Sequence, residues 1–189
     1  MYVTPIIRLA LQVSAKAHND QVRKGSDTPY LVHPVGVMLI LAEFTNNDEV
    51  LAAALLHDVL EDCSDVYSES QMRREFGDEI TGIVKAVTKD SAITDWRARN
   101  DNYLATLRAS NNGSAIMVCA ADKINNLVDV LEDYEAMGPV VWEKFSAGKD
   151  DQLWWYNAAY ELIADCMPDH RLTKGLNDLV DKLALIVID

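Results

Sequence analysis

The sequence predicts an all-α fold, a single domain of about nine helices spanning residues 1–189. Apolar residues recur at helical spacing through most of the chain, and no alternating pattern is long enough to build a sheet. The 8 glycines and 5 prolines among 189 residues are fewer than average, so few tight turns are needed. No repeat, linker or composition break divides the chain, and its length suits one domain.

The first part of the chain predicts three apolar helices. A helical pattern begins near Ile6 and runs to about His18, and a loop rich in Gly, Ser, Asp and Pro follows. Pro34 suits the first turn of the second helix, because the N–H that proline lacks is not needed there. The third helix, DEVLAAALLHDVLED, is apolar until His57, where polar groups enter a segment with a buried pattern.

Capping residues predict the ends of the next helices. Ser68 or Ser70 can cap QMRREF, Gly77 can end it, and Asp78 can cap EITGIVKAVTK. A long polar helix then begins at 94 or 95 and ends at 111–113.

The last part of the chain predicts four more helical segments. SAIMVCAADKINNLVDVLEDY is apolar with an isolated polar cluster, and Gly138 and Pro139 interrupt the chain after it. The remaining segments are VVWEKF, DDQLWWYNAAYELIADC and TKGLNDLVDKLALIVI. The final LALIVI could also form a strand.

Charge limits the partners of the protein. With 17 basic and 30 acidic residues the formal net charge is −13, which argues against general binding to nucleic acid or to anionic membranes. Any anionic ligand must therefore be held by a few local cations or by a metal.

The cysteines and the hydropathy predict a cytoplasmic protein. Cys63, Cys119 and Cys166 are odd in number and widely spaced, which fits neither a disulfide framework nor paired CxxC motifs. We expect Cys63 and Cys119 to be small core residues. The first residues lack the basic start of a signal peptide, and no apolar stretch reaches the roughly 18 residues of a membrane span.

The strongest chemical signal is His57-Asp58, which ends the apolar run of the third helix. Buried charges are costly unless they are paired or bound to a metal. Glu61 lies one helical turn from His57, and Asp62 lies one turn from Asp58, so we expect the four groups to form two adjacent columns on one helix. Three carboxylates beside one imidazole repel each other unless a cation lies among them.

A second polar cluster interrupts the apolar segment that follows residue 115. It contains Asp122 and Lys123, and Asn126 shares a helix face with Asp122. His33, just before Pro34, is a third candidate. Imidazole and carboxylate together suit Mn²⁺, Fe²⁺ or Zn²⁺ and would leave coordination positions open for water and substrate.

Each of these signals also has a purely structural explanation. An isolated His33 is more often a helix-start residue than a ligand, His57-Asp58 can be a satisfied buried pair, and Asp122-Lys123 can be a surface ion pair. The clusters indicate a site only when they are taken together.

The joint pattern H…HD…D, with ED after the HD, resembles the HD-domain metal phosphohydrolases. The similarity is closest to the hydrolase domain of RelA/SpoT-type enzymes and to the stand-alone alarmone hydrolases that remove the 3′-pyrophosphate of guanosine tetraphosphate (ppGpp). It covers roughly residues 10–160. The motifs that carry it are AKAHNDQVRKGSDTPYLVHPVGV, AAALLHDVLED, REFGDEITGIVKAVTK and CAADKINNL.

The resemblance implies a single compact HD-domain helical bundle with a metal site, most typically for Mn²⁺. The implied ligands are His33, His57, Asp58 and Asp122. Glu61 and Asp62 match the family's catalytic carboxylates, which position and activate the attacking water.

The resemblance also implies a set of substrate contacts. Arg23 would lie near the base and Lys24 near phosphate. Lys123 and Asn126 fall where the family contacts ribose and phosphates. Tyr156 lies in an aromatic segment similar to the helix that closes the family's nucleotide pocket.

These implications lead to one main hypothesis and two alternatives. The main hypothesis is a metal-dependent 3′-pyrophosphohydrolase of ppGpp or pppGpp. The first alternative is an HD phosphohydrolase that acts on another nucleotide, such as a deoxynucleoside triphosphate or a nucleoside monophosphate. The second is a non-catalytic, metal-stabilised module that binds a nucleotide.

Overall fold

The computed structural model describes residues 3–188, and this part of the chain is all-α. It forms nine α-helices and one 3₁₀ helix, the latter over Gly138–Lys144. The α-helices are α1 Pro5–Ala17, α2 Val32–Ala42, α3 Asp48–Leu56, α4 Val59–Asp62, α5 Glu69–Ala86, α6 Trp96–Ser110, α7 Gly113–Met137, α8 Lys149–Cys166 and α9 Arg171–Ile188. The predicted fold class is confirmed.

Residues 3–188 contain no strand longer than one isolated bridge, which pairs Val22 with Pro29 in the loop between α1 and α2. The LALIVI segment, which could also have formed a strand, is the last part of α9. No helix between residues 3 and 188 has the length and hydropathy that are needed to cross a lipid bilayer.

Side-chain caps define several helix ends as the sequence predicts. Ser68, and not Ser70, caps α5, where its side chain and that of Gln71 form a reciprocal capping box. Asp95 caps α6 by accepting a hydrogen bond from the Ala98 N–H at 2.8 Å. Gly77 has φ +79° and ψ −179° and interrupts α5 at the position where the sequence predicts a helix end.

The predicted third helix is not continuous. It is divided into α3 and α4 by His57 and Asp58, and Asp58 has φ −93° and ψ −7°. The Asp62 N–H still donates to the Asp58 carbonyl at 2.8 Å, so one turn links these two residues. The break therefore places the His-Asp pair between two helices instead of within one.

Residue contacts divide the chain into two compact units, one up to Cys119 and one from Ala120 onward. In the first unit α3 is the central helix, and α1, α2 and α5 pack against it. All residues from Val50 to Leu56 are buried, which explains why this helix is apolar on every face.

In the second unit α8 packs against α9. Four buried residues of α9, at spacings of three and four, form the apolar stripe that is typical of an amphipathic helix: Leu176, Val180, Leu183 and Val187. The prediction of one domain over residues 1–189 stays a prediction.

Candidate metal centre and active site

The two histidines predicted as ligands are both buried, each with about 3% of its surface exposed. His33 is the second residue of α2, and its N–H donates to the Tyr30 carbonyl at 2.9 Å. His57 directly follows α3, and its Nδ1 lies 2.8 Å from the Ala54 carbonyl oxygen. Because a carbonyl only accepts, Nδ1 of His57 carries a proton, and Nε2 of the neutral ring keeps the lone pair that a metal needs.

Three potential ligand atoms converge in the first unit. Nε2 of His33 lies 3.2 Å from Nε2 of His57, which lies 3.1 Å from Oδ2 of Asp58. The third separation, from His33 Nε2 to Asp58 Oδ2, is 3.5 Å. Ligand atoms about 2.1 Å from a common ion would lie roughly 3.0–3.4 Å apart, so the cluster fits a divalent cation.

Asp58 is held at this position by a tyrosine. The hydroxyl of Tyr30 donates to Oδ2 of Asp58 at 2.6 Å, and the Asp58 side chain keeps 17% of its surface exposed. A carboxylate oxygen can accept this bond and still have a lone pair for a metal. One side of the ligand group is therefore accessible to solvent.

The two carboxylates of α4 differ in their surroundings. Oε2 of Glu61 accepts a hydrogen bond from the Lys89 backbone N–H at 2.8 Å. Burial raises the pKa of Glu61, although Lys89 acts in the opposite direction. Asp62 is exposed, but partial desolvation and then repulsion from Asp58 raise its pKa as well, and His18 opposes this shift. Carboxylates with raised pKa values are suited to accepting a proton from water.

Cys63, which follows these carboxylates, is a buried thiol as the sequence predicts. Its Sγ lies 3.4 Å from the Ala17 carbonyl and 3.4 Å from Nδ1 of His18. Desolvation, followed by repulsion from Asp62, raises the pKa of Cys63 to about 11. The thiol therefore stays protonated at neutral pH and is a poor metal ligand and nucleophile.

The predicted basic pair lies in the loop between α1 and α2. The Arg23 guanidinium carbon is 5.6 Å from the centroid of the Tyr30 ring, within the range of a cation–π contact. The Arg23 N–H donates to the Thr28 carbonyl at 2.8 Å, and this bond closes the loop. Lys24 is exposed at the loop tip. The role of both residues in binding substrate stays a prediction.

The second predicted polar cluster lies in α7, within the second unit. Oδ2 of Asp122 accepts from the Lys123 ammonium at 2.6 Å, and Oδ1 accepts from the Asn126 amide at 2.5 Å. Lys123 is 6% exposed, and its ammonium lies 5.0 Å from the centroid of the Trp155 ring. Asp122 is thus a buried carboxylate and not part of a surface ion pair, but its assignment as a metal ligand stays a prediction.

The aromatic segment of α8 contacts the second polar cluster through Trp155. Trp155 lies against Lys123, whereas Tyr156 is 5% exposed in the second unit. The role of Tyr156 in binding substrate stays a prediction.

The sequence does not single out Tyr30, which contacts the ligand group, or His18, which packs against Tyr30. Tyr30 lies in an irregular loop, where periodicity gives no signal, and its only clue is its place three residues before His33. His18 looks like an ordinary helix end in the sequence, but it is 2% exposed and its ring centroid lies 4.7 Å from that of Tyr30.

Comparisons with known proteins identify the family of the chain. A family model described as "HD domain" matches residues 10–151. A guanosine-3′,5′-bis(diphosphate) 3′-pyrophosphohydrolase of Aquifex aeolicus is 33% identical over 122 residues, which cover 64% of this chain and 17% of that protein. A probable GTP pyrophosphokinase of Mycobacterium leprae is 34% identical over 124 residues, which cover 65% of this chain and 15% of that protein. The chain thus spans less than a fifth of the length of these curated relatives.

A solved structure is similar along nearly the whole chain. It is described as a metazoan ortholog of SpoT that hydrolyses ppGpp and plays a role in starvation responses. The TM-score is 0.81 at 26% identity, and the match covers 96% of this chain and 97% of the other. The match of the family model over most of the chain and this shared fold show that the chain belongs to the HD domain family and is related to the RelA/SpoT-type proteins.

Proposed function

We propose that this protein is a metal-dependent phosphohydrolase that removes the 3′-pyrophosphate of ppGpp or pppGpp, so that water and the nucleotide yield pyrophosphate and GDP or GTP. The main support is the convergence of His33, His57 and Asp58 next to the two carboxylates of α4. The names of the Aquifex relative and of the metazoan structure support the choice of substrate.

We assign the metal site to the three converging ligands, with Asp122 as the fourth. Imidazole and carboxylate donors together suit Mn²⁺, Fe²⁺ or Zn²⁺, and the resemblance to the HD-domain phosphohydrolases favours Mn²⁺ among them. A divalent cation held there supplies Lewis-acid chemistry, which lowers the pKa of a water molecule and offsets charge on the pyrophosphate. The remaining chemistry comes from the side chains.

Glu61 and Asp62 act as the proton acceptors and orient the attacking water. The Lys89 N–H holds one oxygen of Glu61 at 2.8 Å, so the other oxygen can face the water. Because burial raises the pKa of Glu61, its carboxylate is a stronger base than an exposed glutamate.

Basic and polar side chains bind the nucleotide. Arg23 stacks on the base, since a planar guanidinium can lie on a purine ring, and Lys24 meets a phosphate. Lys123, Asn126 and Tyr156 complete the contacts to ribose, phosphates and the pocket wall. These local positive charges attract a polyanion to a chain with a net charge of −13.

We propose that this activity belongs to a single domain and that the protein is cytoplasmic. Cys63, Cys119 and Cys166 are all free thiols, which are typical of a reducing compartment.

The direct test is incubation of the purified protein with Mn²⁺ and ppGpp, followed by ion-exchange chromatography of the products. We expect equal amounts of pyrophosphate and GDP. Glu61→Gln should lower the rate by at least about 100-fold, as expected for loss of a general base. Glu79→Gln, an exposed carboxylate on α5, is the matched control and should keep the full rate.

Two results would contradict the proposal. The first is a wild-type protein that binds Mn²⁺ but releases no pyrophosphate, and the second is undiminished release by Glu61→Gln. Turnover of dGTP or GMP in the same assay, without turnover of ppGpp, would instead identify an HD phosphohydrolase with another substrate.

A further inference from the structure

Tyr30 contacts two of the proposed metal ligands and one of the proposed nucleotide contacts. Its hydroxyl donates to Oδ2 of Asp58 at 2.6 Å. Its ring lies 5.6 Å from the Arg23 guanidinium carbon, and its centroid is 5.8 Å from that of His33. One side chain therefore touches a proposed nucleotide contact and two proposed metal ligands.

The hydroxyl bond fixes the ligand oxygen itself. Oδ2 of Asp58 is the same atom that lies 3.1 Å from His57 Nε2 and 3.5 Å from His33 Nε2. A hydroxyl bonded to a carboxylate at 2.6 Å is a short, charge-assisted bond, which is stronger than a bond between neutral groups. The bond limits rotation of the carboxylate and keeps this oxygen directed toward the two imidazoles.

The ring is held in place from its own loop. His18 lies against it at a centroid distance of 4.7 Å, and Nδ1 of His18 is bonded to the Gln21 amide oxygen at 2.7 Å. The Tyr30 N–H in turn donates to the Gln21 carbonyl at 2.9 Å. The position of Tyr30 is therefore determined by the same loop that carries Arg23.

The Tyr30 hydroxyl also affects Asp62. Desolvation raises the pKa of this carboxyl, and Tyr30 acts in the opposite direction. The hydrogen bond that the hydroxyl donates at 2.6 Å is to the proposed metal ligand.

We propose that Tyr30 is a positioning residue. Its side chain couples the loop that carries Arg23 to the metal site, because the ring contacts Arg23 and the hydroxyl contacts Asp58. Its hydroxyl sets the affinity of the metal site through Asp58, and its ring sets nucleotide binding through Arg23. The division of roles between substrate and metal rests on the proposed function, whereas the effect on metal affinity can be measured without any nucleotide.

The test compares two substitutions at this position. Tyr30→Phe removes only the hydroxyl and keeps the ring, whereas Tyr30→Leu removes both. Tyr67→Phe is the matched control, because the Tyr67 hydroxyl also donates to a carboxylate, that of Glu75, at 2.9 Å in the same unit. Mn²⁺ affinity is measured by electron paramagnetic resonance of the free ion, and kcat and KM are measured with ppGpp.

We expect Tyr30→Phe to weaken Mn²⁺ binding by about 10-fold or more, as is typical when a partner of a metal ligand is lost. Its kcat at limiting Mn²⁺ should fall while KM for ppGpp stays unchanged. Tyr30→Leu should weaken Mn²⁺ binding equally and, in addition, raise KM. Tyr67→Phe should match the wild type in all three quantities.

Three results would overturn the proposal. They are wild-type Mn²⁺ affinity in Tyr30→Phe, an equal loss of affinity in Tyr67→Phe, and a Tyr30→Phe protein that does not fold, since the hydroxyl would then stabilise the fold instead of the ion. A wild-type protein that binds Mn²⁺ without hydrolysing ppGpp contradicts only the proposed function.

Discussion

The Nε2 atoms of His33 and His57 face each other at 3.2 Å in the buried interior of the first unit. The His57 ring presents a lone pair at this point, because its Nδ1–H is bonded to the Ala54 carbonyl. With Asp58 Oδ2 only 3.1 Å away, three potential ligand atoms converge at one point, where a divalent cation can bind.

Removal of the metal should therefore destabilise the protein. We expect EDTA to lower the melting temperature and excess Mn²⁺ to restore it, since a ligand at 100 times its Kd adds about 2.7 kcal/mol to the free energy of unfolding. Differential scanning fluorimetry measures the shift. His57→Asn should abolish it, whereas His170→Asn, at a histidine of the second unit, should keep it. An equal shift in both variants would contradict the assignment of His57.

Asp122→Asn should weaken Mn²⁺ binding by at least about 10-fold if Asp122 is the fourth ligand, because a neutral amide is a poor substitute for a carboxylate ligand. The control is Asp133→Asn, which also removes a carboxylate that is paired with a lysine, Lys144, at 2.8 Å in the second unit. Titration of free Mn²⁺ measures both affinities. Unchanged affinity in Asp122→Asn would contradict the assignment of Asp122 as the fourth ligand.

Glu61→Gln should stabilise the metal-free protein at pH 8 but not at pH 4. Burial raises the pKa of Glu61 above its ordinary value of 4.5, so the folded state binds this proton more tightly than the unfolded state. The free energy of unfolding of the wild type therefore falls as pH rises through the interval between the two pKa values. Gln can still accept the bond from the Lys89 N–H, and it carries no charge to desolvate.

Urea unfolding in EDTA at the two pH values measures this difference, with Glu79→Gln as the exposed control. The same gain in stability for Glu61→Gln at pH 4 and pH 8 would show that ionisation of Glu61 is not its cause.

Replacement of two glycines of α5 by alanine should change the free energy of unfolding in opposite directions. Gly77 has φ +79°, which side chains rarely adopt, so Gly77→Ala should lower the free energy of unfolding by about 1–3 kcal/mol. Gly82 lies in the regular part of α5, so Gly82→Ala should raise it by about 0.4–1 kcal/mol. A methyl group at either position would meet no atom within 4 Å, so packing does not explain the difference.

Urea denaturation of the two variants at neutral pH measures both changes. A loss of stability in Gly82→Ala as large as that in Gly77→Ala would contradict the role of the backbone angle.

Local signals in the sequence predict much of the secondary structure. Ser68 and Asp95 are capping residues because their side chains accept hydrogen bonds from N–H groups only three residues away. Gly77 interrupts a helix because of its own backbone freedom. The break at His57 and Asp58 has no such local signal, since neither residue is a strong helix breaker.

Four determinants of the site were thus visible in the chain alone: the helical periodicity, the buried pattern that leads to His57, the pairing of His57 with Asp58, and the motif order that resembles the HD family. Each depends on residue type and short spacing. Tyr30, His18 and the Lys89 N–H became part of the site only in the tertiary structure. Their bonds to Asp58, Cys63 and Glu61 join residues 28 to 45 positions apart in the sequence. Such contacts depend on how α1, α3 and α5 pack, and short-range sequence patterns do not predict this packing.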